Sequence, residues 1–246
     1  MLELQRYNLN RRTPLTGGMA RGVSRTTMNT DEKVHPSPLM LQALTTEHFT
    51  LQGARSVVIS EVNSRATIYL SAVSSTVVAL AFVTTLSQSQ ELVRAFALVL
   101  LPILCFMGIV TKARLEQLSL ADFQYQRAIN RIRHAYVDVA PDAARYLMLS
   151  IHDDVRGVAH TAVYQEGRRM GLLTAAQMIA VINSVIIGLI VAIAFRWATG
   201  SSGITAILAG IVAGVVVAVI DFKMGEARWK QYVENFEIRF PSPRED

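Results

Sequence analysis

Four of the residues best suited to chemistry lie close together near the middle of the chain: His152, Asp153, Asp154 and His160. Imidazole and carboxylate groups are common metal ligands, but a closed metal site needs three or four of them to converge at set spacings. The one cysteine, Cys105, lies inside a long uncharged stretch, where no metal ligand is expected. The spacing therefore predicts a solvated turn here and no metal site.

Three arginines form the most basic group of the chain: Arg127, Arg131 and Arg133. Guanidinium groups bind phosphates and anionic lipid headgroups, so these residues are candidates for contact with an anion or lipid. A solvated helix face is the plainer interpretation of the same pattern. Because the chain contains no glycine-rich phosphate loop, nucleophile elbow or other catalytic motif, we expect no catalytic residue, no cofactor and no enzymatic activity.

Polar side chains interrupt the uncharged stretches at helical spacing. Five of them are candidates for the lining of a pore that assembles in an oligomer: Thr174, Gln177, Ser184, Ser71 and Ser75. The alternative is hydrogen bonding between neighbouring helices, at about 0.6 kcal/mol for each bond. Asn183 points to a different face, and we expect it to join helices.

Small residues recur at steps of four in the last uncharged stretch, at Ala206, Gly210, Gly214 and Ala218. This spacing lets two membrane helices approach closely, but it does not specify the partner. The stripe therefore predicts either an oligomer interface or an intramolecular contact with the preceding span.

The composition identifies the class of protein that must position these residues. The chain has 246 residues, of which 51% are apolar and 17% charged, whereas a soluble domain has about 25% charged residues. Intrinsic disorder is excluded by the high hydrophobicity, and a disulfide scaffold by the single cysteine. The remaining class is an integral membrane protein in contact with the lipid bilayer.

Four stretches contain no Asp, Glu, Lys or Arg: 66–90, 95–111, 170–195 and 197–220. A spanning helix needs about 20 mostly apolar residues, with about 17 as the lower limit. The sequence therefore predicts four transmembrane helices. The absence of ionisable residues within them argues against a proton-coupled transporter.

The basic residues are divided unequally between the two sides of the membrane. Of the 24 Lys and Arg residues, 22 lie before the first stretch, between the second and third, or after the fourth. Such residues are retained in the cytoplasm. We therefore expect a multi-pass protein of the plasma membrane with both termini cytoplasmic. Because the basic residues are interspersed with acids, no nucleic-acid partner is expected.

The segments outside the membrane show helical patterns of their own. A helix is expected to start near Thr45 or Thr46, and to run into the first span. Apolar residues repeat at steps of three and four over 118–139, a seam typical of packed helices. A turn is expected at 152–158, followed by a helix from about Thr161 into the third span. A further apolar stripe covers 229–240.

The predicted fold is therefore all-α: four transmembrane helices extended by a bundle of cytoplasmic amphipathic helices. Its segments follow in this order: a flexible N-terminal tail (1–44), a cytoplasmic helix (45–65), transmembrane hairpin 1 (66–111), a cytoplasmic helical region (112–169), transmembrane hairpin 2 (170–220), and a cytoplasmic C-terminal helix and tail (221–246).

Two segments, ALTTEHFTLQ at 43–52 and RIRHAYVDVAP at 131–141, resemble segments of uncharacterised actinobacterial multi-span integral membrane proteins. That resemblance implies no activity. The plan of a hairpin with a cytoplasmic helix is also similar to that of SLATT-type membrane effectors, which implies perforation of a membrane in bacterial conflict. Those effectors typically carry one hairpin, whereas this chain has two.

The sequence thus leaves three functions open, of which a membrane enzyme has the least support because catalytic motifs are missing. The first is a non-enzymatic, homo-oligomeric pore or membrane effector that is gated when its cytoplasmic helices bind a ligand or protein. The alternative is a membrane scaffold or signalling protein whose cytoplasmic helices bind a protein partner.

Overall fold

The computed structural model describes residues 37–87, 89–161, 174–200 and 202–243, and within these ranges the chain is all-helical. Its elements are α1 (Pro38–Leu86), α2 (Gln90–Val139), a 3₁₀ helix (Pro141–Tyr146), α3 (Val155–Thr161), α4 (Ala175–Thr199) and α5 (Gly203–Glu234).

Helix α1 begins earlier than the sequence analysis expected. Ser37 caps it by accepting a hydrogen bond from the Met40 N–H (3.2 Å). Pro38 suits the first helical position because its φ is already helical and it has no N–H to leave unpaired. The prediction of a tail over 1–44 is therefore wrong for 38–44, which belong to α1. The rest of that predicted tail, 1–36, lies outside the described residues.

Four helices are long and apolar enough to cross a membrane: α1, α2, α4 and α5. With 49 residues, α1 is about 73 Å long, more than twice the roughly 30 Å thickness of the hydrocarbon core. Helix α2 has 50 residues and α5 has 32, so these helices also continue beyond a bilayer. This confirms an all-α membrane protein with four spans and a helical extension. We call the extension, 38–65 with 112–161 and 221–243, the basic end.

The four spans form a row in the order α1, α2, α4, α5. Helix α2 packs between α1 and α4, and α4 packs against α5. Only 11% of the apolar window is buried in α1 and in α5, compared with 28% in α2 and 33% in α4. The two outer helices therefore present most of their apolar surface to the surroundings.

The connection from α2 to α4 differs from the expected turn and helices. Asp154 begins α3 by accepting the Gly157 N–H (2.7 Å), so much of the turn expected at 152–158 is helical. Thr174 caps α4 by accepting the Gln177 N–H (3.3 Å). The helix expected to lead from Thr161 into the third span falls mostly on 162–173, outside the described residues.

Candidate functional site

The stripe of small residues lies in the contact between α4 and α5. A Cβ atom on Gly210 would lie 2.5 Å from the carbonyl oxygen of Gly188, and one on Gly214 would lie 2.9 Å from that of Ser184. Ala206 is buried and Ala218 is half-buried. Of the two alternatives open at the sequence level, the structure places this stripe in an intramolecular contact.

The five candidate lining residues do not share one surface. Ser184 is buried and donates a hydrogen bond to the Ala180 carbonyl oxygen (2.9 Å). Gln177 is half-buried near Gly225 of α5, and Thr174 caps α4. Ser71 and Ser75, in contrast, are exposed on α1. Within one chain, these candidate residues are therefore divided between α4, near its contact with α5, and the outer face of α1.

The exposed face of α1 carries a longer row of hydroxyl groups than the sequence analysis noticed. We call it the hydroxyl stripe; it follows steps of four and three residues through Ser60, Ser64, Thr67, Ser71 and Ser74, with Ser75 beside it. Each of these residues is exposed, and none forms a hydrogen bond within the part of the chain that the structure describes. The signal that would have found the whole stripe is the helical spacing of small hydroxyl residues.

A buried polar contact joins three of the spans. The Asn183 Oδ1 atom accepts a hydrogen bond from the Tyr69 hydroxyl (2.7 Å), and its Nδ2 donates to the Cys105 carbonyl oxygen (3.1 Å). Gly108 leaves the space for this amide, since a Cβ atom there would overlap it. Asn183 thus ties α4 to α1 and α2, as its position off the polar face predicted.

At the basic end, Asp153 is fully buried and binds the backbone of residues 239 and 240. Its carboxylate accepts hydrogen bonds from the Phe240 N–H (2.8 Å), the Arg239 N–H (3.2 Å) and the Arg131 Nε (2.6 Å). Asp154 accepts from the Ser242 N–H (2.9 Å). We call residues 237–243, fastened in this way, the C-terminal latch.

The electrostatic environment keeps Asp153 ionised. Burial raises the pKa of its carboxyl, but the hydrogen bonds from the Phe240 N–H and Arg131 and the charge of Arg131 outweigh burial, so the pKa lies below its ordinary value.

Within the described ranges no three His, Cys, Asp or Glu side chains are arranged to hold a metal ion. The solvated turn expected here is instead a buried anchoring point.

Two of the three candidate anion-binding arginines are engaged with their own chain. Arg127 and Arg131 both donate to the Glu237 carbonyl oxygen, at 2.6 and 2.7 Å. Arg127 also donates to the Asp153 carbonyl oxygen (2.9 Å), and its guanidinium lies 3.7 Å from the centre of the Phe236 ring. These two residues therefore hold the C-terminal latch on α2.

Helix α2 contacts α5 and the residues just after it in the same region, through Phe123. The Phe123 ring is 5.0 Å from Trp229, 6.0 Å from Tyr232 and 5.8 Å from Phe236, measured between ring centres. Nearer the spans, Lys112 pairs with Glu116 (2.6 Å) and with Asp221 of α5 (2.8 Å). Aromatic and ionic contacts thus join the two helices where they leave the apolar region.

Arg133, the third candidate, borders a half-open cavity of about 280 Å³ between α1 and α2. We call this space the Arg133 cavity. Its lining combines cationic, polar and apolar side chains: Gln52, Arg55, Ser56, Ile59, Gln126, Ile129, Arg133, Leu149 and Thr161. Arg133 was a candidate from the sequence, whereas Arg55 was not, because it belongs to a helix far away in the chain.

The charged groups of the Arg133 cavity are unequally neutralised. Arg55 donates to Asp122 (2.7 Å), whereas Arg133 donates only to the neutral Asn130 Oδ1 (3.3 Å), and no carboxylate of the described residues pairs with it. Burial, and then the charge of Arg55, lower the pKa of Arg133. Gln126 is 2% exposed, and its Oε1 has no hydrogen-bond donor in the described structure. Among the described residues, the cavity is therefore bordered by one cation without a carboxylate partner and by a glutamine with one buried, unsatisfied acceptor.

Comparison with known proteins adds no assignment: no protein-family model, no curated protein and no solved structure matches the chain.

Proposed function

We propose that this integral membrane protein is a non-enzymatic pore or membrane effector, formed when several copies associate so that the hydroxyl stripe of α1 lines a water-filled path. The observation that carries the proposal is a set of exposed hydroxyl groups on a spanning helix that form no hydrogen bond within the described residues. Ser71, Ser74 and Ser75 all lie within the uncharged stretch of α1.

A hydroxyl group in hydrocarbon needs a hydrogen-bond partner because lipid tails offer none. Other hydroxyls of α1 meet this need within the helix: Thr76 and Thr84 each donate to the carbonyl oxygen four residues earlier. The hydroxyls of the stripe do not. Exposure of the stripe hydroxyls is therefore favourable where they face water or another copy of the chain, and unfavourable where they face lipid.

The row of spans supports an assembly of several copies. Helix α1 lies at one end of the row and packs mainly on α2, so its outer face stays available. A row of four helices encloses no path by itself, whereas several copies that place α1 around a common axis do so. The same arrangement keeps the intramolecular contact between α4 and α5 away from the path.

Gating follows from the continuity of the long helices. Helices α1 and α2 pass without a break from the spans into the basic end, so a rotation of one part moves the other. We place the basic end in the cytoplasm of a cell with this protein in its plasma membrane, because 22 of 24 basic residues lie on that side.

Cysteine substitution tests the pore directly, since Cys105 is the only cysteine and can be replaced by alanine. In that background, Ser71→Cys or Ser75→Cys should react with a charged thiol reagent, and the reaction should block efflux of ions from liposomes. Val77→Cys is the matched control, because Val77 is exposed (61%) but lies off the stripe. It should neither react nor block. A tight bilayer, with Ser71→Cys as unreactive as Val77→Cys, would contradict the pore.

A scaffold is the second candidate function, and one surface favours it. Tyr146, Met148 and Leu149 are 73%, 90% and 38% exposed on the connection after α2, and neighbouring exposed apolar side chains mark a protein-binding site when they form a patch. A scaffold predicts no efflux under any condition, together with loss of a co-purifying partner on Tyr146→Ser and Met148→Ser.

A further inference from the structure

We propose that the Arg133 cavity is a binding site for a small phosphate monoester. This inference goes beyond the pore and does not depend on it, because binding can be measured without conduction. Three features of the described residues around the cavity carry it: a guanidinium without a carboxylate partner, a glutamine with a buried acceptor that lacks a donor, and an apolar wall.

The charge balance around the cavity calls for an anion. Asp122 offsets Arg55, and Asp153 offsets Arg131 on the other side of α2. Within the described ranges, Arg133 has only the neutral side chain of Asn130 as a partner. A guanidinium binds a phosphate through paired, charge-assisted hydrogen bonds. A second guanidinium, that of Arg55, borders the same space.

The buried acceptor calls for a donor on the same ligand. Gln126 is one of the residues that line the cavity; its buried Oε1 has no donor among the described residues, while its Nε2 donates to Asp122. Buried polar atoms are nearly always hydrogen-bonded. A hydroxyl group of the ligand, or of a protonated phosphate, supplies this hydrogen bond.

The size and the remaining walls limit the ligand. A volume of about 280 Å³ is near the lower end of the usual range for small-molecule sites, roughly 300–1,000 Å³. Ile59, Ile129 and Leu149 offer apolar contact to a short carbon skeleton. A compact ester with a phosphate at one end and a hydroxyl group near it meets all three features.

Such a phosphate has two sources, a soluble metabolite or a lipid headgroup, and the position of the cavity favours the soluble one. Arg55 lies eleven residues before Ala66, the start of the uncharged stretch, which is about 16 Å along the helix. The headgroup layer is only about 5–8 Å thick on each side. The cavity therefore lies beyond the headgroups.

The test uses the purified full-length chain in detergent, with glycerol 3-phosphate as the probe and uncharged glycerol as its control, in calorimetry and thermal unfolding. Glycerol 3-phosphate should bind and raise the unfolding temperature, and glycerol should not.

Arg133→Gln should weaken binding by about tenfold or more, and Gln126→Met should also weaken it. Arg145→Gln is the matched control, because Arg145 is an exposed arginine of the same end outside the cavity; it should bind as the wild type does. If Arg133→Gln does not fold, Arg133→Lys keeps the charge without the paired hydrogen bonds and should bind several-fold more weakly.

A second arm identifies the source of the phosphate. Thermal unfolding is compared in phosphatidylcholine nanodiscs with and without phosphatidic acid, for the wild type and Arg133→Gln. A stabilisation by phosphatidic acid that needs Arg133, without binding of glycerol 3-phosphate, would support the site but assign it to a lipid headgroup. Absence of binding in both arms, or equal loss in Arg145→Gln, would overturn the proposal.

Discussion

At the scale of single residues, Asp153 explains how the end of the chain is held. One buried carboxylate accepts two backbone N–H groups of the C-terminal latch and the guanidinium of Arg131. Each of these hydrogen bonds involves a charged group, and such bonds are stronger than those between neutral groups. The latch therefore depends on a residue that the sequence alone assigned to a solvated turn.

Asp153→Asn should release the latch. The amide has one acceptor in place of two and adds a donor that faces other donors, while Arg131 loses its counter-charge. We expect a loss of about 1.5–3 kcal/mol in the free energy of unfolding of the basic end, which is the range for hydrogen bonds to charged groups. Denaturation followed by Trp229 fluorescence, in a Trp197→Phe background, measures it. Asp138→Asn is the control, since Asp138 is 65% exposed. Equal stability of the two variants would show that Asp153 does not hold the latch.

The same carboxylate predicts how the latch responds to pH. Its folded-state pKa lies below the ordinary value of 3.8, because the latch N–H groups and Arg131 outweigh burial. A group with a lowered pKa stabilises the fold above its unfolded pKa and loses that contribution as pH falls through the folded pKa. Trp229 fluorescence should therefore be constant between pH 7 and about 5 and change only below about 4. A transition near pH 6 would instead point to a histidine.

At the scale of elements, the contact between α4 and α5 depends on the absence of side-chain atoms. Gly210→Ala places a Cβ atom 2.5 Å from the Gly188 carbonyl oxygen and 2.8 Å from the Ala192 Cβ, so the helices must separate. We expect the free energy of unfolding to fall by about 1–3 kcal/mol, the usual effect of overpacking. A lower unfolding temperature in detergent would show this loss.

Gly53→Ala provides the opposite control for that experiment. Gly53 lies in α1 with open space around it, so alanine should stabilise the helix by about 0.5–1 kcal/mol. If Gly210→Ala were as stable as Gly53→Ala, α4 and α5 would not approach as closely as described.

The elements also show which part of the fold the sequence could predict. Spans are found from uncharged length and close approach from small residues at steps of four, because both signals are local. Apolar periodicity predicts too late a start for α1, because the helix begins at a cap and a first-turn proline, Ser37 and Pro38, that carry no periodic signal. Tyr69 was missed because its partner Asn183 is 114 positions away.

At the scale of the whole molecule, the sequence predicted the class of protein but not how its polar groups meet. The Arg133 cavity combines Arg55 of α1 with Arg133 of α2, and the C-terminal latch combines Asp153 with Phe240. Both depend on the packing of distant segments, which periodicity does not encode. The hydroxyl stripe, in contrast, is local and was available from the sequence.

The distribution of basic residues makes a prediction for the molecule in its membrane. With Cys105 replaced by alanine, a cysteine at Gln90, beside the turn between α1 and α2, should react with a membrane-impermeant thiol reagent added outside intact cells. A cysteine at Asp142, on the basic end, should react only after the cells are opened. The physical reason is that 22 of the 24 Lys and Arg residues lie before the first uncharged stretch, between the second and third, or after the fourth, and resist transfer across the membrane. Both positions are exposed, so reactivity reports location and not burial. If Asp142→Cys reacts in intact cells and Gln90→Cys does not, the orientation is reversed. The Arg133 cavity would then face the exterior, and its phosphate ligand would have to come from there.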